Sequence, residues 1–250
     1  MPDQRTILRI TGEDRVDFLQ GLLSNDMKKL ADGLVYAALL SPQGKYLFDF
    51  FLFARDDAVF LDVKSDAAAA LSARLNMYRL RADVAIEASD LLLSRGLGDA
   101  PEGAFCDPRD PALGWRTYRQ QAGADAAIDW AALRVARMIP ETGVELIPNE
   151  TYILEMGFER LNGVDFRKGC YVGQEVTARM KHKTALKKGL AQVSIDGPVA
   201  PGAVISRDGK EVGRVHTVAG PRALAYLRFE RAGAGMEAAG QTLHLEKLTP

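Results

Sequence analysis

The sequence predicts an α+β fold built on antiparallel hairpins, followed by a small, separate all-β domain. Three observations carry this. In the first third of the chain, short apolar runs of strand length alternate with segments of helical spacing, with turn signals between them. After Leu186 the texture changes to short β-like runs separated by glycine and proline turns. The chain of 250 residues is 47% hydrophobic and 26% charged, which supports a core adequate for roughly one to three domains and excludes a disordered chain.

In order, residues 7–10 read as a short strand, and Thr11 with Asp14 three positions on reads as a helix N-cap with its acidic partner. The helix that follows places Val16, Leu19, Leu22 and Leu23 on one face. Asn25-Asp26 and Asp32-Gly33 are turn signals, and residues 34–40 read as a buried strand. Ser41-Pro42-Gln43-Gly44 turns the chain tightly into residues 46–53, a strongly apolar strand interrupted by one acid, Asp49. Residues 58–63 make a third strand, Ser65 is placed to cap a helix carrying Leu71, Leu75 and Tyr78, and residues 84–86 return to the sheet. Between 91 and 119 two or three short strands are broken by Pro101, Pro108 and Pro111. Residues 126–139 have helical spacing and stop at Pro140, and 150–161 read as another helix. The last strands fall at 190–195, 211–218, 222–229 and 241–248. The expected organisation is a body over 1–185, divisible near 88 into two subdomains, and a β-barrel-like domain over 186–250.

Composition narrows the function. A formal net charge of -1 gives no bulk attraction to nucleic acid or an anionic membrane. The start of the chain lacks a basic segment backed by an apolar stretch, and no apolar run spans a bilayer. With only Cys106 and Cys170, no disulfide framework is expected, and a cytoplasmic protein with reduced thiols is. His182, His216 and His244 are scattered, so no set of four ligands for a permanent metal site is visible, and no Cys-x-x-Cys pair marks a redox thiol protein. Nor is there a phosphate-binding loop, a dinucleotide fingerprint or a Ser-His-Asp pattern.

The most unusual segment is Lys168-Gly169-Cys170-Tyr171-Val172-Gly173-Gln174-Glu175. Its glycines permit a sharp turn or a close backbone approach, and Gln174 and Glu175 supply an amide and a carboxylate to orient what lies there. Arg167 and Lys168 beside the thiol can lower its pKa if their charges face the sulfur, making thiolate the reactive form. The competing reading is a small buried hydrophobe on a tight turn.

Continued through Val176-Thr177-Ala178-Arg179, this segment resembles the signature of the YgfZ family: Lys-Gly-Cys-Tyr, one variable residue, then Gly-Gln-Glu. Similarity extends to Ile10-Thr11-Gly12, Asp17-Phe18-Leu19-Gln20-Gly21, Asn25-Asp26, Leu39 through Gly44, Leu133-Arg134 and Gly213-Arg214-Val215. The resemblance implies a GcvT-like fold, related to the aminomethyltransferase T-protein of glycine cleavage. Its α+β body would have flanking helices around a central folate-like cavity, with a C-terminal β-barrel-like domain. It implies a folate-binding accessory role in assembling, inserting or repairing iron-sulfur clusters, in particular 4Fe-4S, including those of tRNA-modifying enzymes. Cys170 would carry the function, with Lys168, Gly169, Tyr171, Gly173, Gln174, Glu175 and Arg179 forming its signature loop. Tetrahydrofolate or a derivative is the implied cofactor, contacted by Asn25, Asp49 and Arg134. No metal would be permanently bound, Cys170 serving at most as a transient cluster ligand. The implied partners are cluster carriers or client proteins, without nucleic acid or membrane.

The alternative is a tetrahydrofolate-dependent aminomethyl or one-carbon transferase, and whether the chain is an enzyme stays open. Against transfer, the catalytic acid of the related transferases aligns with Phe48 rather than Asp49, and a folate-contacting glutamate with Ala136. Cys106 reads as an incidental core or loop thiol. The basic run Arg179, Lys181, Lys183, Lys187 and Lys188, with His182 inside it, reads as a solvated face or as a dock for an acidic protein or RNA; no interleaved aromatics favour RNA.

Overall fold

The computed structural model describes residues 4–121, 123, 127–183 and 185–249. Residues 1–3, and Ala126, where a helix was expected to begin, lie outside the described residues. The chain divides into two compact units: Met1–Ala127 with Glu159–Gln174, and Ile128–Phe158 with Glu175–Pro250. The second unit therefore groups residues 128–158 and 175–185 with the expected barrel domain.

Unit one is built on a five-stranded antiparallel sheet of β1 (Arg5–Thr11), β2 (Val35–Leu40), β3 (Tyr46–Arg55), β4 (Ala58–Lys64) and β5 (Ala85–Ala88), ordered β2-β3-β4-β1-β5. The two-residue turn Asp56-Asp57 joins β3 to β4, with Asp56 at φ 51, a value aspartate tolerates in hairpins. Because side chains alternate across a strand, these runs bury two different faces. Leu8, Ile10, Leu39, Phe50, Leu52, Leu61 and Val63 meet α1 (Arg15–Gln20) and α2 (Ser65–Arg79) through Leu19, Leu71 and Leu75. On the other face Ile7, Phe53 and Phe60 pack with Tyr118 of a three-stranded sheet, β6 (Leu92–Gly96), β7 (Phe105–Cys106) and β8 (Trp115–Arg119), ordered β6-β8-β7.

This second face also carries charge. Asp62 pairs with Arg5 at 2.6 Å and Arg116 at 3.0 Å and accepts the Tyr118 hydroxyl at 2.8 Å, while Arg116 lies 3.9 Å from the centroid of Phe51. Asp107 joins through Arg116 at 3.2 Å and Arg109 at 2.8 Å. Burial works to raise the Asp107 carboxyl, but Arg109 and then Arg116 outweigh it and hold it at about 2.

Unit two is a closed antiparallel barrel of β9 (Lys188–Ile195), β10 (Val204–Arg207), β11 (Lys210–Ala219), β12 (Arg222–Arg228), β13 (Met236–Ala238) and β14 (Gln241–Leu248), ordered β10-β11-β12-β9-β14-β13. Its core includes Val193, Ile205, Val215, Ala225, Leu227 and Leu243. Helix α3 (Trp130–Arg137) is capped by Asp129, whose carboxylate accepts the Ala132 N–H at 2.9 Å, and is tied to the barrel by Gln192 Nε2 donating to the Val135 carbonyl at 2.8 Å.

Several local expectations are corrected. Thr11 ends β1 and does not cap α1; Asp14 is the cap residue, and Val16 is exposed rather than on the buried face. The helix closes at Gln20, so Leu22 and Leu23 are buried from the segment after it. Ser65 is already the first residue of α2, and its hydroxyl pairs with that of Thr6 at 2.8 Å. Residues 150–161 form only the short 3-10 turn Ile153–Met156, ended by Gly157 at φ 76, a left-handed conformation that terminates helical winding. Residues 174–183, taken as part of a loop, form helix α4 (Gln174–Lys183), as their good helix formers favour. Strands β10 and β13 were missed, being four and three residues long.

Candidate functional site

Residues 159–173 lie along the stretch that follows α1, held by groups distant in sequence. The Ser24 hydroxyl donates to the Gly163 carbonyl at 2.6 Å, the Asp165 N–H donates to the Ser24 carbonyl at 2.9 Å, and Lys29 pairs with Asp165 at 2.7 Å. Asn25 is consumed by this frame. Its Nδ2 donates to the carbonyls of Tyr36 (2.8 Å) and Asn162 (2.6 Å), and its Oδ1 accepts the Asp26 N–H (2.9 Å) and Lys29 Nζ (2.8 Å).

Within the signature, Lys168 points inward and is 6% exposed. Its ammonium donates to the carbonyls of Gln20 at 2.7 Å, Leu23 at 2.5 Å and Asn25 at 3.0 Å, and sits 5.0 Å from the ring centroid of Tyr171. Gln20 is the last residue of α1, where a carbonyl lacks a helical partner and a cation fits well, and the other two carbonyls belong to the segment that follows the helix. Burial lowers the Lys168 ammonium to about 8, against the opposing pull of Asp26 and Asp165. Tyr171 is buried as well. Between these anchors Gly169 and Cys170 are exposed. The thiol is thus held out by a short span pinned at both ends, which excludes its reading as a buried hydrophobe.

The two glycines have different work. At Gly169 an added Cβ meets nothing within 4 Å, so the space beside the thiol is open. Gly173 has φ +83, and a Cβ there falls 2.6 Å from the Ser41 carbonyl oxygen and 2.9 Å from Leu40 Cβ, so the loop packs directly on the turn between β2 and β3. Gln174 opens α4 and donates its N–H to the Tyr171 carbonyl at 3.2 Å; Glu175 is exposed in the first turn, where its charge complements the helix end, and Arg179 is exposed further along. Arg167 is exposed and donates its N–H to Asp165 at 2.7 Å.

The remaining predicted residues lie elsewhere. Asp49 is buried in unit one, and its two oxygens accept the hydroxyls of Tyr36 at 2.9 Å and Tyr46 at 2.7 Å. Phe48 packs against the main core. Arg134 belongs to unit two, where it pairs with Glu141 at 2.7 Å and with buried Glu145 at 3.4 Å. Cys106 is exposed on the edge strand β7 rather than in the core. Among the described residues no three His, Cys, Asp or Glu side chains cluster as a metal site. Sequence reasoning missed Ser24, Lys29 and Asp165; the Asn162-Gly163 turn dipeptide was the available signal that residues 159–173 double back.

Comparison with known proteins extends this picture. Residues 187–249 match the C-terminal β-barrel domain described for CAF17. The chain is 30% identical over 274 residues to the mouse (Mus musculus) mitochondrial iron-sulfur cluster assembly factor IBA57, covering 91% of this chain and 76% of that protein. With the human (Homo sapiens) IBA57 it is 31% identical over 273 residues, covering 92% and 77%. The crystal structure of the glycine cleavage system aminomethyltransferase T from Bartonella henselae superposes with a TM-score of 0.72 at 14% identity, over 99% of this chain and 84% of that one, which establishes a GcvT-like fold. The expected cytoplasmic location is corrected: these relatives are named as mitochondrial proteins.

Proposed function

The chain belongs to the IBA57 family, and from that premise we propose that it serves iron-sulfur cluster assembly through the exposed thiol of Cys170. The observation that carries this reading is the inversion within four residues: Lys168 and Tyr171 are buried anchors, while Cys170 between them faces solvent. A tight loop that spends a buried ammonium and a buried phenol to hold a thiol outward is poor packing but good presentation. A thiolate is a soft ligand for iron, and a cluster needs about four such ligands. Cys170 supplies one, and the others come from a carrier or client protein, so the cluster is cargo in passage. The resemblance of residues 168–175 to the YgfZ signature supports the same role for this loop.

Tetrahydrofolate enters this proposal only as what that resemblance implies. The three residues assigned to it do not fit a ligand contact: Asn25 has its amide fully engaged, both Asp49 oxygens accept phenols, and Arg134 is paired with two glutamates. One-carbon transfer is disfavoured as well, since the position expected to hold the catalytic acid is Phe48, which packs against the core and carries no ionisable group.

The test is rescue of 4Fe-4S enzyme activity in cells lacking this protein, comparing wild type with Cys170→Ser at equal abundance. A tRNA-modifying cluster enzyme serves as one readout and a metabolic cluster enzyme as another. The exposed position predicts that the variant folds with unchanged stability and fails to rescue. Full rescue by Cys170→Ser would overturn the proposal.

A further inference from the structure

Between residues 174 and 188 the sequence carries five Lys or Arg residues against the single acid Glu175, and the chemistry proposed for Cys170 uses none of them. In unit two this run borders a groove of about 330 Å³. Met180, Ala185 and Leu186 give the groove an apolar side, and Lys187, Lys188 and Arg228 give it a cationic rim. Among the described residues, none of these three cations is ion-paired with a carboxylate. Lys188 and Arg228 are register partners across β9 and β12, which sets two like charges opposite each other, an arrangement that destabilises a strand pair. The acids that line the groove do not relieve them: Glu155 accepts the Tyr226 hydroxyl at 2.6 Å, and Glu230 stands 4.0 Å from Arg231. Lys188 finds only the face of Tyr226, 5.5 Å from its centroid.

We propose that this groove docks an acidic segment of a partner protein. An apolar side chain of that segment seats against Met180, Ala185 and Leu186, and flanking carboxylates reach Lys187, Lys188 and Arg228. Single-stranded RNA is the poorer match, because such binding relies on aromatic stacking platforms and the groove lining contains no aromatic residue. The inference is independent of the cluster reading: it is measured as binding, so either can fail while the other stands.

The experiment titrates the full chain with a fluorescein-labelled dodecapeptide of alternating Asp and Glu around a central Leu-Phe pair, followed by anisotropy. Two further probes are the same peptide with Ser-Ser at its centre and an oligouridine RNA of equal charge. The expected result is saturable peptide binding that weakens with salt, weakens with the Ser-Ser peptide, and falls by about tenfold in K187E/K188E. L186D should lose the preference for Leu-Phe over Ser-Ser, and K210E, on an exposed hairpin of the barrel, should bind as wild type. Circular dichroism confirms that each variant is folded. Absence of peptide binding, or binding indifferent to the charge reversals, overturns the proposal. Tighter binding of the RNA through the same lysines also overturns it and assigns the groove to nucleic acid.

Discussion

Replacing Gly173 by alanine tests the loop geometry most directly, because the structure supplies both parts of its cost. The backbone sits at φ +83, and an L-residue in the left-handed region gives up roughly 1–2 kcal/mol. The new methyl would also lie 2.6 Å from the Ser41 oxygen, 2.9 Å from Leu40 Cβ and 3.1 Å from Gly44 Cα. Two of these three atoms are backbone, so relief requires the loop and the β2–β3 turn to separate, an overpacking cost of about 1–3 kcal/mol. The sum is about 2–5 kcal/mol. Gly169→Ala is the internal control: its φ is not in the left-handed region and its methyl meets nothing, so reduced freedom of the unfolded chain should leave stability unchanged or raised by up to about 1 kcal/mol. Urea unfolding followed by Trp115, which reports on unit one, in a Trp130→Phe background measures both variants. The rate of thiol labelling by a disulfide reagent adds a local reading: Gly173→Ala should alter it and Gly169→Ala should not. Equal stability losses in the two variants, or a loss below about 1 kcal/mol in Gly173→Ala, would refute the assignment of Gly173 to a close contact and Gly169 to open space.

Lys168→Met should cost about 2–4 kcal/mol in the same assay, since it strips the charged donor from three buried carbonyls. The ammonium is lowered from 10.5 to about 8 on folding, so the unfolded chain binds more protons between those values and this group's contribution to stability rises with pH across that window; the rise should vanish in Lys168→Met. Asp107 runs the other way in mechanism: lowered from 3.8 to about 2, it contributes stability above about 4 that is lost as pH falls towards 2, and Asp107→Asn should flatten acid unfolding there. Asp49→Asn should cost about 1–3 kcal/mol by weakening the acceptor of two buried phenols, read as a loss of stability.

Much of the fold was legible because it rests on local pattern. The apolar runs at 34–40, 46–53 and 58–63 became β2, β3 and β4 within two residues at each end, and four of the six barrel strands were visible as runs between glycine and proline turns. Where the reading failed, local signals competed. Thr11 and Ser65 have the chemistry of helix caps, but one is held in β1 and the other spends its hydroxyl on Thr6, a partner 59 positions away. In the stretch 150–161, residues 153–158 are buried without a break, a situation in which periodicity says little.

The sequence by itself determined the strands β2, β3 and β4 of the sheet, four of the six barrel strands, and the place of the unusual segment 168–175 with Cys170 inside it. Only the tertiary structure decided which way each signature residue faces. Lys168 turns inward because the carbonyls that accept from it belong to Gln20, Leu23 and Asn25, more than 140 positions earlier in the chain. Gly173 is needed because the turn at Ser41 arrives against it, and Asn25 and Asp49 are occupied because Asn162, Tyr36 and Tyr46 are brought to them. A residue's type and spacing fix what it can bond to locally, whereas its exposure and its free valences depend on which distant groups folding delivers. For Cys170 that delivery makes the difference between a thiol packed inside and one exposed to solvent.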